Sequence, residues 1–177
     1  MTNPPPLRVE LGERSYDIRF YSNNPEAVAA DIKPFVPERA FVITNDTIWS
    51  RHGERFGAAL NGAGIAHEVA TVPDGERYKS LESASALYDR LISGRHSRRT
   101  CIIALGGGVI GDLAGFVAAT FLRGVDFIQV PTTVVAMVDS AIGGKTGVDH
   151  PLGKNLIGAF HQPRLVAVDT AYLRTLD

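Results

Sequence analysis

The sequence predicts an α/β fold, a largely parallel sheet with helices on both faces, preceded by an N-terminal β-hairpin. Short apolar runs such as "AFVITN", "CIIAL" and "RLVAVD" read as strands buried on both sides, which is the pattern of a parallel sheet. Segments with helical spacing lie between those runs, and this alternation is the signature of stacked strand-helix units. Hydrophobic residues make up 45% and charged residues 21% of the 177, a globular balance.

Taken in order, "LRVELG" and "SYDIRFYS" flank Gly12-Glu13-Arg14 and predict the hairpin. Residues 40–45 follow as a strand. "DTIWSRHGERFGAALNGAG" then carries helical spacing at Ile48, Phe56 and Leu60, with an Asn-Gly stop. "HEVATVP" predicts a strand, and "SLESASALYDRLISG" a helix with Ser80 as N-cap and Gly94 at its end. "CIIAL" leads through a glycine cluster into "GDLAGFVAATFLRG", a helix apolar enough to be buried on most sides. "DFIQVP" and "RLVAVD" complete the strands. Residues 140–160 carry five glycines and two lysines without clear periodicity, and they read as a long loop, either functional or disordered.

Eighteen basic against nineteen acidic residues give a net charge of -1, and no basic run is long enough to form a nucleic-acid footprint. The longest apolar run, residues 116–122, is far below the ~20 residues of a membrane span, and the N-terminus lacks a leader pattern. The one cysteine, Cys101, permits no intrachain disulfide, which fits a reducing, cytoplasmic setting. His52, His67, His96, His150 and His161 show no metal-binding spacing, and no nucleophile elbow is present.

Gly106, Gly108 and Gly111 spell G-x-G-x-x-G, and Asp126 lies about where a dinucleotide fingerprint expects an acid. Glycines between a buried strand and a helix gather free N–H groups at the positive helix end, which suits a pyrophosphate. A tight turn needing glycine only for packing would use the same letters. The position also differs from the fingerprint's usual first turn, since at least two strand-helix units precede it. Asp112 is expected in the first turn of the following helix, either as a ligand-facing acid or as a dipole-stabilised residue. "PDGERYKS" reads as a turn followed by Glu76 and Lys79 close together, by charge alone a solvated pair. Lys145, Lys154 and Asn155, set among glycines, can approach an anion closely, although surface lysines on a loop would look alike. Arg123 ends the apolar helix and there complements its dipole. Ser140, beside Asp139, has no assigned part.

Together, "PDGERYKS", "GGGVIGDLAGFVAATFLRGVDFIQVPTT", "MVDSAIGGKTGVDHPLGKNLIGAFHQP" and "LRTL" resemble the 3-dehydroquinate synthases, from about Leu7 to the last residue. The order and length of these strings are far more specific than any one glycine motif. The resemblance implies that residues 1–177 are a Rossmann-like, NAD-binding domain. A helical domain holding zinc or cobalt through one glutamate and two histidines would follow beyond the chain. Alone, this domain would hold the nucleotide but not turn over.

The implied reaction converts 3-deoxy-D-arabino-heptulosonate 7-phosphate to 3-dehydroquinate and phosphate in the shikimate pathway, with NAD returned unchanged. A temporary ketone at C5 makes the neighbouring C–H bond ionisable, so phosphate can leave before reduction and aldol closure.

Carried over by residue, the resemblance gives Gly107, Gly108 and Val109 the pyrophosphate and Asp112 the nicotinamide end. Asn45, Glu76 and Lys79 go to the adenosine ribose and neighbouring groups; Thr132, Thr133, Tyr172 and Thr175 continue the cofactor site. Asp139, Lys145, Lys154 and Asn155 face the sugar-phosphate substrate, with both lysines bordering the cofactor as well. Arg123 would reach the phosphate pocket of a second subunit, implying a homodimer. Asp126 then becomes a strand-start residue without a ligand. Ala141 and Asp149 depart from the family's more common Ser and Asn, and no polar contact is assigned to either.

Overall fold

In the computed structural model, residues 4–176 are described; the first three residues, which belong to the stretch without a leader pattern, and Asp177, the end of the resemblance, lie outside them. Strands β1 (Leu7–Val9) and β2 (Tyr16–Tyr21) pair antiparallel, Val9 opposite Tyr16, around a 3-10 turn at Gly12–Arg14. Gly12 has φ +64, a left-handed conformation that costs a glycine little. The predicted hairpin is therefore present.

Helix α1 (Pro25–Ile32) follows, an element the sequence reading passed over. Its start signals are in the sequence, since the Asn24 side chain accepts from the Ala27 N–H at 3.0 Å and Pro25 stands first in the helix. Its apolar face, Val28, Ala29 and Ile32, is too short and alanine-rich to show a period.

The predicted alternation then appears: β3 (Arg39–Asn45), α2 (Asp46–Gly62), β4 (His67–Val72), α3 (Leu81–Ser93), β5 (Thr100–Gly106), α4 (Gly108–Thr120) and β6 (Asp126–Pro131). Ser80 caps α3 by accepting from the Ser83 N–H at 3.2 Å. The sheet runs β1-β2-β9-β6-β5-β3-β4, where β9 is Leu165–Asp169, and every pair except β1/β2 is parallel. One core lies on the side of α1 and α2, with Ile32, Phe56 and Leu60 packed on Val42, Ile103 and Val166. The other lies under α3 and α4, where Leu87, Leu91, Leu113 and Val117 meet Phe41, Ile43 and Ile102. Both sheet faces are covered, which explains why the central strands read as unbroken apolar runs.

The expectation of a loop over residues 140–160 is overturned. Residues 136–140 form a wide helical turn, and β7 (Lys145–His150) and β8 (Gly153–Phe160) form a second hairpin laid on α4. Glycine is used here for close packing. Gly147 faces Gly158 across the ladder, a Cβ on Gly147 would stand 2.6 Å from the Ile157 carbonyl oxygen, and Thr146 occupies the space that a side chain at Gly115 would need. Replacing side chains by hydrogen at these contacts erased the two-residue period that marks a strand. The hairpin also completes the burial of α4, whose Ile110, Leu113, Phe116 and Val117 are all buried, as its composition predicts.

Candidate functional site

The chain leaves β3 through α2 towards β4, and leaves β5 through α4 towards β6, in opposite directions across the sheet. Between the carboxyl ends of β3 and β5 there is thus a topological switch point, the place where open α/β sheets form a ligand crevice. A cavity of about 400 Å³ opens there, lined by Asn45, Ile48, His52, Asp74, Gly107, Gly108, Val109, Thr132, Thr133 and Thr175.

Two helix starts face this crevice. Asn45 ends β3 and caps α2, accepting from the Ile48 N–H at 2.7 Å while its amide donates to Asp74 Oδ1 at 3.0 Å. At α4 the cap is Gly107, which offers no side chain to its first N–H groups. Those amides are left for a ligand, at the positive end of a thirteen-residue helix. A Cβ at Gly107 would come within 3.1 Å of Thr133 Cγ2, so glycine keeps the cradle open. Thr132 N–H donates to the Gly106 carbonyl at 3.0 Å, which ties β6 to the glycine turn. This is the fourth strand-to-helix turn of the fold, as the order of the segments implies.

A second cavity of about 490 Å³ lies on the other side of the α4 start, and its walls include Asp112, Asp139, Ser140, Lys145, Asn155 and Phe160. Asp112 is the fifth residue of α4, so it belongs to the second turn and not the first. The helix begins earlier than expected because Gly108 already has helical geometry. Lys79 is buried at 5% exposure; its ammonium is in contact with Asp112 Oδ2 and donates to Asn155 Oδ1 at 2.5 Å. Burial pushes the Asp112 carboxyl above its usual range, against the downward pull of the Lys79 hydrogen bond.

Glu76 and Lys79 do not form the pair that their spacing invites. Glu76 opens a 3-10 turn and stays outside, where it binds Lys154 Nζ at 3.0 Å, while Lys79 turns inward. Asn155 is left-handed at φ +58 and its N–H donates to Asp149 Oδ1 at 2.8 Å, a contact at a position where the sequence assigned none.

Most predicted residues are therefore gathered on one side of α4 or the other. Tyr172 stands behind His52 instead of in the crevice wall, its ring edge-on at 4.9 Å; Thr175 does line the crevice and meets His52 Nε2 at 2.9 Å. Arg123 is exposed and left-handed at φ +70 beyond α4, and lines neither cavity. Asp126 opens β6 and pairs with Arg164 at 2.8 Å. Sequence reasoning missed Asp74, His52 and Ser140 as wall residues. Asp74 was legible only as a turn, and His52 was weighed only as a metal ligand; its spacing of four from Ile48 on α2 was the available signal.

A glycine-opened crevice at the switch point of a covered, mostly parallel sheet defines the class: a doubly wound α/β domain of Rossmann-like form. The 3-dehydroquinate synthase N-terminal family model matches residues 69–177, and the chain belongs to that family. A protein of Saccharophagus degradans named 3-dehydroquinate synthase is 49% identical over 174 residues, covering 96% of this chain and 47% of that protein. Among solved structures, 2-deoxy-scyllo-inosose synthase complexed with carbaglucose-6-phosphate, NAD+ and Co2+ superposes with a TM-score of 0.89 at 28% identity, over 98% of this chain and 47% of that one. The 2-epi-5-epi-valiolone synthase of Streptomyces hygroscopicus, with NAD+ and Zn2+ bound, gives 0.84 at 30% identity, over 96% and 47%. The chain thus spans about half the length of these relatives. No helix among the described residues is long and apolar enough to cross a membrane.

Proposed function

We propose that the chain supplies the NAD site and part of the substrate site of a 3-dehydroquinate synthase. The whole enzyme would convert 3-deoxy-D-arabino-heptulosonate 7-phosphate to 3-dehydroquinate and phosphate. The observation that carries this reading is the pair of cavities sharing the α4 start, one walled by main-chain amides and the other by charged side chains.

The residues present fit a dinucleotide. The uncapped N–H groups at Gly107, Gly108 and Val109 suit its pyrophosphate, and the open cradle beside Thr133 admits the backbone approach that a phosphate requires. Asn45 and Asp74, hydrogen-bonded to each other, present polar groups at the α2 end for a ribose. NAD, when bound, supplies hydride acceptance and return. The chain's own part is to orient and to hold charge. Lys145, in the cavity wall, offers a cation to a substrate's phosphate or carboxylate; Lys154 lines neither cavity and would have to leave Glu76 to add a second. Asn155 is fixed by Lys79 and Asp149, and Asp139 provides a carboxylate at the same wall.

The described residues bring no three of His, Cys, Asp or Glu together as a metal donor set, so they do not themselves fit a metal, and no step is assigned to one. The resemblance implies one glutamate and two histidines for zinc or cobalt, and none of the described residues is assigned to that set. Arg123, exposed at the tip after α4, is the residue offered to a second copy in a homodimer.

Lys145→Ala separates the two cavities. We expect it to weaken use of the heptulosonate phosphate in the full-length protein at least about tenfold, the loss of one charge-assisted contact, while NAD affinity by calorimetry changes less than about threefold. Loss of NAD binding would break the division of the site. Turnover of another sugar phosphate in place of the heptulosonate would assign the chain to a different cyclase.

A further inference from the structure

The Ser140 hydroxyl is the one polar group of the charged cavity that lacks a hydrogen-bond partner among the described residues although its oxygen is shut off from solvent. Native structures seldom leave a buried hydroxyl unpaired, because it has given up its water without replacement. Its place is specific. Ser140 ends the wide turn that follows Thr132 and Thr133, and it lines the charged cavity. Its Oγ rests against Gly108, 3.1 Å from where a Cβ would be, and Gly108 lines the nucleotide crevice. Ser140 and Gly108 are therefore two sides of one wall, and the absence of a side chain at Gly108 is what lets the hydroxyl sit there.

We infer that Ser140 is a binding residue for the nicotinamide end of the dinucleotide, its hydroxyl hydrogen-bonding the ring's carboxamide. This rests on the dinucleotide reading given above. With the pyrophosphate at the α4 amides, one half of the cofactor lies along Asn45 and Asp74, and the redox half must pass Gly108 to meet a substrate held by Lys145 and Asn155. The wall it passes is Ser140. Turning the Ser140 side chain about its Cα–Cβ bond to meet a ligand would break no existing hydrogen bond. Asp139 and Asp112 at the same wall are acceptors when ionised, so a hydroxyl adds a neutral group able both to donate and to accept, which a carboxamide requires.

The test compares NAD with ADP-ribose, the same molecule without the nicotinamide ring, by calorimetric titration of the wild-type chain and Ser140→Ala. NAD is expected to bind about five- to tenfold more weakly to the variant, the size of one lost hydrogen bond, while ADP-ribose affinity changes less than about twofold. The melting temperature of the unliganded variant should be unchanged or higher, because an unpaired polar atom has been removed. Equal losses for both ligands, no loss for either, a lowered melting temperature or failure to fold would each overturn the assignment and leave the hydroxyl a structural or idle group. If the wild type binds neither ligand, the dinucleotide reading itself falls, and the assignment with it.

Discussion

The two cavities that share the start of α4 are built by opposite means. The crevice at the β3/β5 switch point presents backbone amides and threonines, with Asp74 and Arg51 as its charged side chains, whereas the cavity beside the β7/β8 hairpin presents Asp112, Asp139 and Lys145, with the buried Lys79 against Asp112. A site made of main chain depends on shape and on where a helix begins. One made of side-chain charges depends on each ion having its partner. Damage should therefore take different forms in the two regions, loss of ligand alone in the first, and in the second loss of local stability wherever a buried ion is left without its partner.

The sharpest way to break the charged region is Lys79→Met. It strips the partially buried Asp112 of its cation and Asn155 of its donor. Removing one partner of such a pair costs about 3 kcal/mol, read as a fall in the urea midpoint. Adding Asp112→Asn should recover part of that loss; no recovery would mean that the lysine contributes mainly by packing.

A smaller effect sharpens the crevice side. Burial, reinforced by the neighbouring Arg51, lowers the His52 imidazole below its free value of 6.5, so the folded state binds fewer protons than the unfolded one. Stability is then fully present above pH 6.5 and declines as pH falls from there towards the folded-state value. His96 is also lowered, first by burial, with its Glu68 hydrogen bond opposing, so both histidines contribute to the decline. His52→Gln should lessen, without abolishing, the stability lost between pH 7 and about pH 5.5. Equal losses in wild type and variant would show that folding leaves the proton affinity of His52 unchanged.

The sheet was legible in the sequence because its central strands are buried on both faces and read as apolar runs; α4 was legible because almost every side of it is covered. The β7/β8 hairpin was not. Gly147, Gly158 and their neighbours satisfy a contact between backbones, and a missing side chain leaves no alternation to read. Helix α1 escaped because eight residues show too few apolar positions to display a period, even with Asn24-Pro25 announcing its start. At the site, chemistry-bearing residue types were visible and their partners were not. Glu76 and Lys79 looked like a pair until the fold sent one outward to Lys154 and the other inward to Asp112. Ser140 carried no signal beyond its neighbour Asp139, since an unpaired hydroxyl is a property of packing alone.

The central claim is that the α4 amides at the switch point hold a dinucleotide. Calorimetric titration of NAD into the wild-type chain and Gly107→Val tests it most directly. The variant places a branched side chain 3.1 Å from Thr133 at its first carbon, in a backbone conformation that any residue can adopt, so the fold should survive while the cradle closes. The account predicts that the wild type binds NAD and that the variant, still folded by circular dichroism, binds at least about tenfold more weakly, a loss of about 1.4 kcal/mol. Equal affinity in the two proteins, or no binding by the wild type, would contradict it.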